Sequence, residues 1–183
     1  MTKLKESASQ TAGPYVHIGC VPQTAGLERR GMGPQLGVAM VGPDAGPTIT
    51  LDMTVLDGAG EAVKDALIEI WQAGPDGTFD QTGGFSNWGR QATDLETGQA
   101  RFETVKPGAA DGQAPHILVW IAARGINLAL TTRIYFPDED NTQDAALQLA
   151  GGRAATLIAE KTNTGYAHMV YLQGPNETVF FDV

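Results

Sequence analysis

The residues able to carry chemistry are few and scattered. His116 opens a run that stays apolar or aromatic through Ala123, with β-branched members and no charge, and this reads as a buried strand. Side chains two apart on a strand share a face, so a second histidine at position 118 would complete a convergent metal-binding pair; Leu118 stands there and ligates nothing. Taken by itself, His116 reads as a hydrogen-bonded histidine at the edge of a core. His17 and His168 have no spacing that unites them with it in a zinc site. The single cysteine, Cys20, rules out an intrachain disulfide, fits a reducing compartment, and reads as a packed thiol rather than a nucleophile. Asp138-Glu139-Asp140 reads as a solvated turn or helix cap rather than paired catalytic carboxylates, and Glu28-Arg29-Arg30 as a solvated cluster. Arg90, just after Gly89, reads as one half of a surface ion pair. Arg133 differs: a strand arginine between Thr132 and Ile134 needs a partner, and its planar fork suits a carboxylate.

The elements that must position these groups are short strands. Ile49, Leu51, Met53 and Val55 alternate with Thr48, Thr50, Asp52 and Thr54, a half-buried strand of period two. Asp57-Gly58-Ala59-Gly60 supplies turn chemistry to return the chain as a strand over 66–71, with Glu69 and Trp71 on one face and Ile68 and Ile70 on the other. Residues 74–87 are turn-rich, with Phe79 and Phe85 as loop anchors. Residues 100–105 alternate and stop at Lys106-Pro107-Gly108; the loop 109–114 is small and polar. Further strands are expected over 130–136, 166–173 and 178–183, and short helical pieces over 143–149 and 153–160, parted by Gly151-Gly152. Near the start, Gly13-Pro14 fixes a bend with Tyr15 on the core edge, and Val16-His17-Ile18 alternate like a short strand. Residues 21–46 show neither period and read as an irregular connection. Many short strands with one helical zone predict a mainly β fold, an antiparallel β-sandwich with one or two short helices and long loops.

Composition bounds the rest. The chain has 183 residues, enough for one domain over 1–183 that buries about 70% of its unfolded surface. Its formal net charge of -9, without a basic patch, argues against nucleic-acid binding, and means that an anionic ligand needs a local arginine. No run of 18 apolar residues is present to span a membrane and residues 1–10 carry no apolar signal region, so a cytoplasmic location is expected. No internal repeat, phosphate-binding glycine loop or nucleophile elbow occurs.

Glu69-Ile70-Trp71-Gln72-Ala73, Gly77-Thr78-Phe79, Gly89-Arg90, Thr104-Val105-Lys106-Pro107-Gly108 and Pro115-His116-Ile117 together resemble the ordered landmarks of the intradiol ring-cleaving dioxygenases. Within that family, Ser9-Gln10-Thr11-Ala12-Gly13-Pro14-Tyr15, Ala123-Arg124-Gly125-Ile126-Asn127 and Glu177-Thr178-Val179-Phe180-Phe181-Asp182 are similar to the alpha-type chain of two-chain members. The resemblance covers nearly the whole sequence, and its specificity lies in the order of several motifs.

The resemblance implies a β-sandwich and a ferric, non-haem iron held by two tyrosines and a His-x-His pair. Motif matching puts Phe79 at the first tyrosine, Ala110 at or beside the second, His116 at the first histidine and Leu118 at the second. Ferric iron favours anionic oxygen, which phenylalanine and alanine do not offer. No metal is therefore expected in this chain; Fe(III) is expected in a partner beta chain, and the isolated chain is expected to be inactive. The implied partners are that iron-bearing beta chain, a higher hetero-oligomer of alpha-beta pairs, and a small aromatic substrate. The implied reaction cleaves protocatechuate with O2 to 3-carboxy-cis,cis-muconate. By the same resemblance, residues 1–46 form an extended arm and connection at the partner interface. Thr11, Gly13, Pro14 and Tyr15 then wall the substrate pocket, and Arg133 biases it toward an anion. Two rivals are an independent intradiol dioxygenase, against which Phe79, Ala110 and Leu118 speak, and a non-enzymatic β-sandwich that binds a partner or small ligand.

Overall fold

The structure is a computed structural model that describes residues 11–24, 26–27, 35–80 and 84–182. Ser9, Gln10, the first ten residues as a whole and the Glu28-Arg29-Arg30 cluster lie outside the described residues.

Two four-stranded sheets face each other. The first contains β1 (Ile49–Leu56), β4 (Gln99–Thr104), β7 (Glu160–Lys161) and β8 (Gly165–Tyr171), in the order β4-β1-β8-β7. The second contains β2 (Leu67–Gln72), β3 (Trp88–Ala92), β5 (His116–Ala122) and β6 (Leu130–Tyr135), in the order β3-β2-β5-β6. The period-two residues of each sheet meet between them: Leu51, Met53, Val55 and Phe102 from the first, Ile68, Ile70, Ile117, Val119, Ile121 and Ile134 from the second, all essentially inaccessible. The sandwich expected from sequence is this one. Its pairing is antiparallel except that β1 and β8 run parallel, Leu51 beside Tyr166 and Val55 beside Val170.

Several local expectations are corrected. Residues 14–20 form a helix, α1 (Pro14–Cys20), not a strand. Proline at the first helical position is preset for helical φ, Val16 donates its N–H to the Gly13 carbonyl at 2.9 Å, and a three-residue alternation fits either period. The arm over 1–46 is thus helical at 14–20 and irregular across the rest of its described length, with Val21 and Met40 as buried anchors.

The Asp57 turn does not return β1 as a neighbouring β2. The Asp57 carboxylate accepts from the N–H groups of Ala59 (2.8 Å) and Glu61 (2.9 Å), and one antiparallel bridge, Leu56 to Ala62, follows. The chain then crosses to the second sheet, where Thr93 pins the start of β2: Ala66 N–H donates to its Oγ1 at 3.0 Å.

Strand β5 is buried on one face only, since Trp120 is 37% exposed while Ile117, Val119 and Ile121 face the core. Residues 178–182 make no strand, because their bonds alternate between sheets instead of forming a ladder: Thr178 N–H reaches the Tyr171 carbonyl in one sheet, and Phe181 N–H reaches Thr131 in the other. The helical zone is α2 (Ala145–Ala150) followed without a break by a 3-10 helix at Gly151–Leu157. Asp144 caps α2, accepting from the N–H groups of Ala146 and Leu147 at 3.0 Å each. This zone and the carboxy-terminal segment cover the outer face of β6, enclosing Tyr135, Leu157 and Val179 in a second small core.

Candidate functional site

Outward residues of the second sheet line up across its strands. Trp71 on β2 stands beside Leu118 on β5, and Leu118 beside Arg133 on β6; one step along, His116 stands beside Tyr135. Phe79 comes back over this face and lies parallel to Trp71, ring planes 8° apart and centroids 6.0 Å apart. The loop that carries Phe79 is held against the Lys-Pro-Gly loop by Gly108, whose N–H donates to the Gly74 carbonyl at 2.9 Å. A side chain at Gly77, where φ is +79°, would run into the Ala109 carbonyl. Ala110 then opens a tight turn through Asp111 (φ 52°) and Gly112 (φ 74°) to Gln113. The four positions expected by motif, Phe79, Ala110, His116 and Leu118, thus lie on one sheet face and the loops beside it.

Their chemistry does not fit ferric iron. Phe79, Ala110 and Leu118 carry no donor atom; the Nδ1–H of His116 donates to the Ala114 carbonyl at 2.8 Å, so its Nε2 is the one nitrogen these four positions offer, with no anionic oxygen beside it. Burial, with the Arg133 charge adding to it, outweighs that bond and holds the imidazole pKa below its ordinary value. Among the described residues no group of three or more His, Cys, Asp and Glu could hold a metal ion.

Arg133 is held without being neutralised. Its Nη1 donates to Gln113 Oε1 at 2.6 Å and to the Tyr135 hydroxyl at 3.3 Å, and its guanidinium carbon lies 5.9 Å from the Phe181 ring centre. The Tyr135 hydroxyl donates in turn to Asp144 Oδ1 at 2.7 Å, and Asp144 Oδ2 accepts from Ala114 N–H at 3.0 Å. Burial first, and then the bond to Asp144, push the phenol up to about 12, so it stays a donor at all working pH. Burial raises the Asp144 carboxyl, but the bonds from Tyr135, Leu147 and Ala114, with the Arg133 charge adding to them, outweigh it and leave the group below its ordinary pKa. No ion pair within 4.0 Å engages Arg133 among the described residues. The carboxylate partner expected from sequence is therefore not supplied from within the described chain.

The amino-terminal candidates sit elsewhere. Thr11 Oγ1 accepts from Gly125 N–H at 2.7 Å, beyond the far end of β5; Gly13 and Pro14 start α1, and Tyr15 projects from it, 84% exposed. A cavity of about 360 Å³ lies under this helix, floored by the Asp65–Arg124 ion pair (2.8 Å) and walled by Gly13, Pro14 and Ile18. Arg133 is three register steps from that end of β5, about 10 Å along the strand, and no described hydrogen bond or ring contact joins it to Tyr15.

Other charged groups are structural. Arg90 meets Glu69 at 2.6 Å, Glu69 also accepts from Trp88 Nε1 at 3.2 Å, and Arg90 lies 4.9 Å over the Trp88 ring. The surface-pair reading of Arg90 holds. The acidic loop is the solvated turn expected from sequence, tied down by cations: Lys106 meets Asp138 (3.2 Å) and Glu139 (2.5 Å), while Lys161 (2.7 Å) and the Tyr166 hydroxyl (2.9 Å) reach Asp138. Lys161, with Tyr166 and Lys106, keeps the Asp138 carboxyl well below its usual range, outweighing the partial burial that raises it. Sequence reasoning missed Gln72 altogether. It is fully buried and clasps the sheets, its Nε2 donating to the Val105 carbonyl at 2.8 Å and its Oε1 accepting from Thr104 Oγ1 at 2.9 Å. The signal was present, since 68, 70 and 72 share the inward face of β2.

A family model described as dioxygenase matches residues 32–173. The protocatechuate 3,4-dioxygenase alpha chain of Pseudomonas putida is 40% identical, over 98% of this chain and 97% of that one. The chain belongs to the intradiol ring-cleavage dioxygenase family. A second relative, the protocatechuate 3,4-dioxygenase beta chain of Burkholderia cepacia, is 34% identical over 75% of this chain and 69% of its own length. Among solved structures, the dioxygenase domain of a dioxygenase carbohydrate-binding protein fusion from Streptomyces sp. SirexAA-E superimposes with a TM-score of 0.57 at 25% identity, covering 79% of this chain and 92% of that one. Members of this family are iron-dependent in general, whereas positions 79, 110, 116 and 118 of this chain offer one imidazole and no anionic oxygen.

Proposed function

We propose that this chain is the alpha subunit of a protocatechuate 3,4-dioxygenase. In this reading Fe(III) is bound by a homologous beta chain, and the two chains associate in pairs that build a higher hetero-oligomer. The beta chain's residues would hold the Fe(III), which would supply activation of a bound catecholate for ring opening by O2 between the two hydroxyl-bearing carbons. Both oxygen atoms enter the product, 3-carboxy-cis,cis-muconate. This chain supplies pocket wall and charge. Arg133 offers its fork to the substrate carboxylate, and Thr11, Gly13, Pro14 and Tyr15 close another side. The arm over 1–46 contributes to the interface, the whole of 1–183 is one domain, and the assembly works in the cytoplasm.

The observation that supports this most is a division of labour in the donor set. Three of the four positions matched to iron ligands carry no donor, while an arginine on the same sheet face has neutral groups as its direct hydrogen-bond partners inside a chain of net charge -9. A Tyr15 that is 84% exposed fits a site completed by another chain. Among the described residues no helix is long and apolar enough to cross a membrane.

The deciding experiment is O2 uptake with protocatechuate by the isolated chain and by the chain co-expressed with its candidate beta partner, with iron assayed in the same samples. Activity and iron only in the pair are expected. Stoichiometric iron and turnover in the chain alone would overturn the reading, and failure of the two chains to co-purify would favour a non-enzymatic binding module.

A further inference from the structure

The way Arg133 is held carries a second conclusion, which rests on the proposed function. A strand arginine normally finds a carboxylate, and one lies close: Asp144, buried, is a single residue removed through Tyr135. Yet the guanidinium donates to two neutral oxygens, the Gln113 amide and the Tyr135 hydroxyl. Tyr135 turns its own proton to Asp144, so it accepts from Arg133 while the carboxylate is satisfied by Tyr135 and three backbone N–H groups. Asp144 thus makes its direct bonds to the α2 cap, the Tyr135 hydroxyl and Ala114 N–H, and acts on Arg133 only through space, without an ion pair.

Gln113 is placed by the tight turn that Ala110 opens. Asp111 and Gly112 both adopt positive φ, Gln113 N–H donates to the Ala110 carbonyl at 2.8 Å, and the side chain of Gln113 is thereby aimed at Nη1. An amide oxygen fixes a guanidinium by one short bond and leaves its net charge intact, whereas a carboxylate in the same place would pair with it and remove it from use by a ligand.

We infer that Gln113 is a positioning residue that holds Arg133 oriented but unneutralised, and so sets the preference of the completed site for carboxylated over neutral phenols. Gln113 does not itself need to touch the substrate. Its effect falls on binding of the carboxylate and not on ring opening, which predicts a change in KM without a change in kcat.

The test uses the assembled alpha-beta enzyme carrying Gln113→Glu, Gln113→Met or Arg133→Ala, each checked for wild-type iron content per pair. KM and kcat are measured with protocatechuate, and competitive inhibition constants with 4-hydroxybenzoate and with phenol, which lacks the carboxylate. Gln113→Glu is expected to raise KM and the 4-hydroxybenzoate constant about tenfold, the loss of a charge-assisted contact, with kcat and the phenol constant within about twofold. Gln113→Met, similar in length but without an acceptor, is expected to raise the same two constants by a smaller factor, about threefold. A ratio of the two inhibition constants that moves with Arg133→Ala but stays put in both Gln113 variants would overturn the positioning role and leave the proposed function standing. A ratio indifferent to Arg133→Ala as well would remove Arg133 from the pocket, and this inference with it.

Discussion

Gln72 and Thr104 join the two sheets through one buried bond, the Thr104 hydroxyl donating to Gln72 Oε1 at 2.9 Å. The amide nitrogen of the same glutamine reaches the Val105 carbonyl at 2.8 Å, and the Gln72 carbonyl accepts from Asn87 Nδ2 at 3.1 Å. The segment carrying Phe79 leaves the sheet immediately after this clasp, and the Lys-Pro-Gly loop leaves immediately after Val105. The clasp therefore fixes the origin of both loops that flank the candidate site.

Replacing Gln72 by Leu keeps the volume and removes the clasp, leaving the Val105 carbonyl and the Thr104 hydroxyl buried without that partner. Each such group costs about 1–3 kcal/mol, so a loss of about 2–6 kcal/mol is expected in urea unfolding at constant m-value. A loss under about 0.5 kcal/mol would mean that the sheets are held by apolar packing alone.

Acid stability should depend on His168. This side chain is 4% exposed, its Nε2 has no hydrogen-bond partner, and burial holds its pKa down to about 4. The unfolded chain takes up the proton near pH 6.5 and the folded chain only near 4, so stability is complete above about pH 6.5 and declines as pH falls toward 4. The decline is on the order of 3 kcal/mol. His168→Phe is expected to flatten the pH dependence of the unfolding free energy across that window; an unchanged slope would assign the acid response to other groups.

The Asp138 network offers a contrast, because its charges are partly solvated. Asp138 receives Lys106, Lys161 and Tyr166, and Asp138→Asn removes the shared anion while keeping the shape. A fall in Tm of about 2–4 °C is expected at low ionic strength, shrinking in molar salt as the pairs are screened. The carboxyl is held below its ordinary pKa, so its contribution is present above about pH 4 and is lost as pH falls further. A fall in Tm that persists in molar salt would point to shape rather than charge.

Much of this was legible before any coordinates. Alternation marked β1, β4 and the inward face of β5, because period two is a local property and one buried face enforces it. The face shared by His116 and Leu118 followed from the same period. Other features depend on distant partners and leave no local trace. The parallel pairing of β1 with β8 joins residues more than a hundred apart, and the neutral holding of Arg133 needs Gln113 and Tyr135 to arrive from a turn and from its own strand. Residues 178–182 have strand-like composition, yet tertiary context assigns their bonds singly to two sheets. Gln72 is the avoidable miss: a polar residue two places after Ile70 had to point inward and find partners.

Tyr15 tests whether the amino-terminal segment faces another chain. At 84% exposure its ring contributes little to this fold, so Tyr15→Ala should change the stability of the isolated chain by less than about 0.5 kcal/mol. In the assembled enzyme the same residue lies, on the proposed reading, against the substrate pocket. Tyr15→Ala, or the gentler Tyr15→Phe, is then expected to lower kcat/KM for protocatechuate severalfold with iron content unchanged. Such a split between an indifferent isolated chain and an impaired complex cannot come from a residue that serves only its own core. Equal kinetics in both variants would place the pocket wall elsewhere and reduce α1 to a cover for the cavity above Asp65 and Arg124.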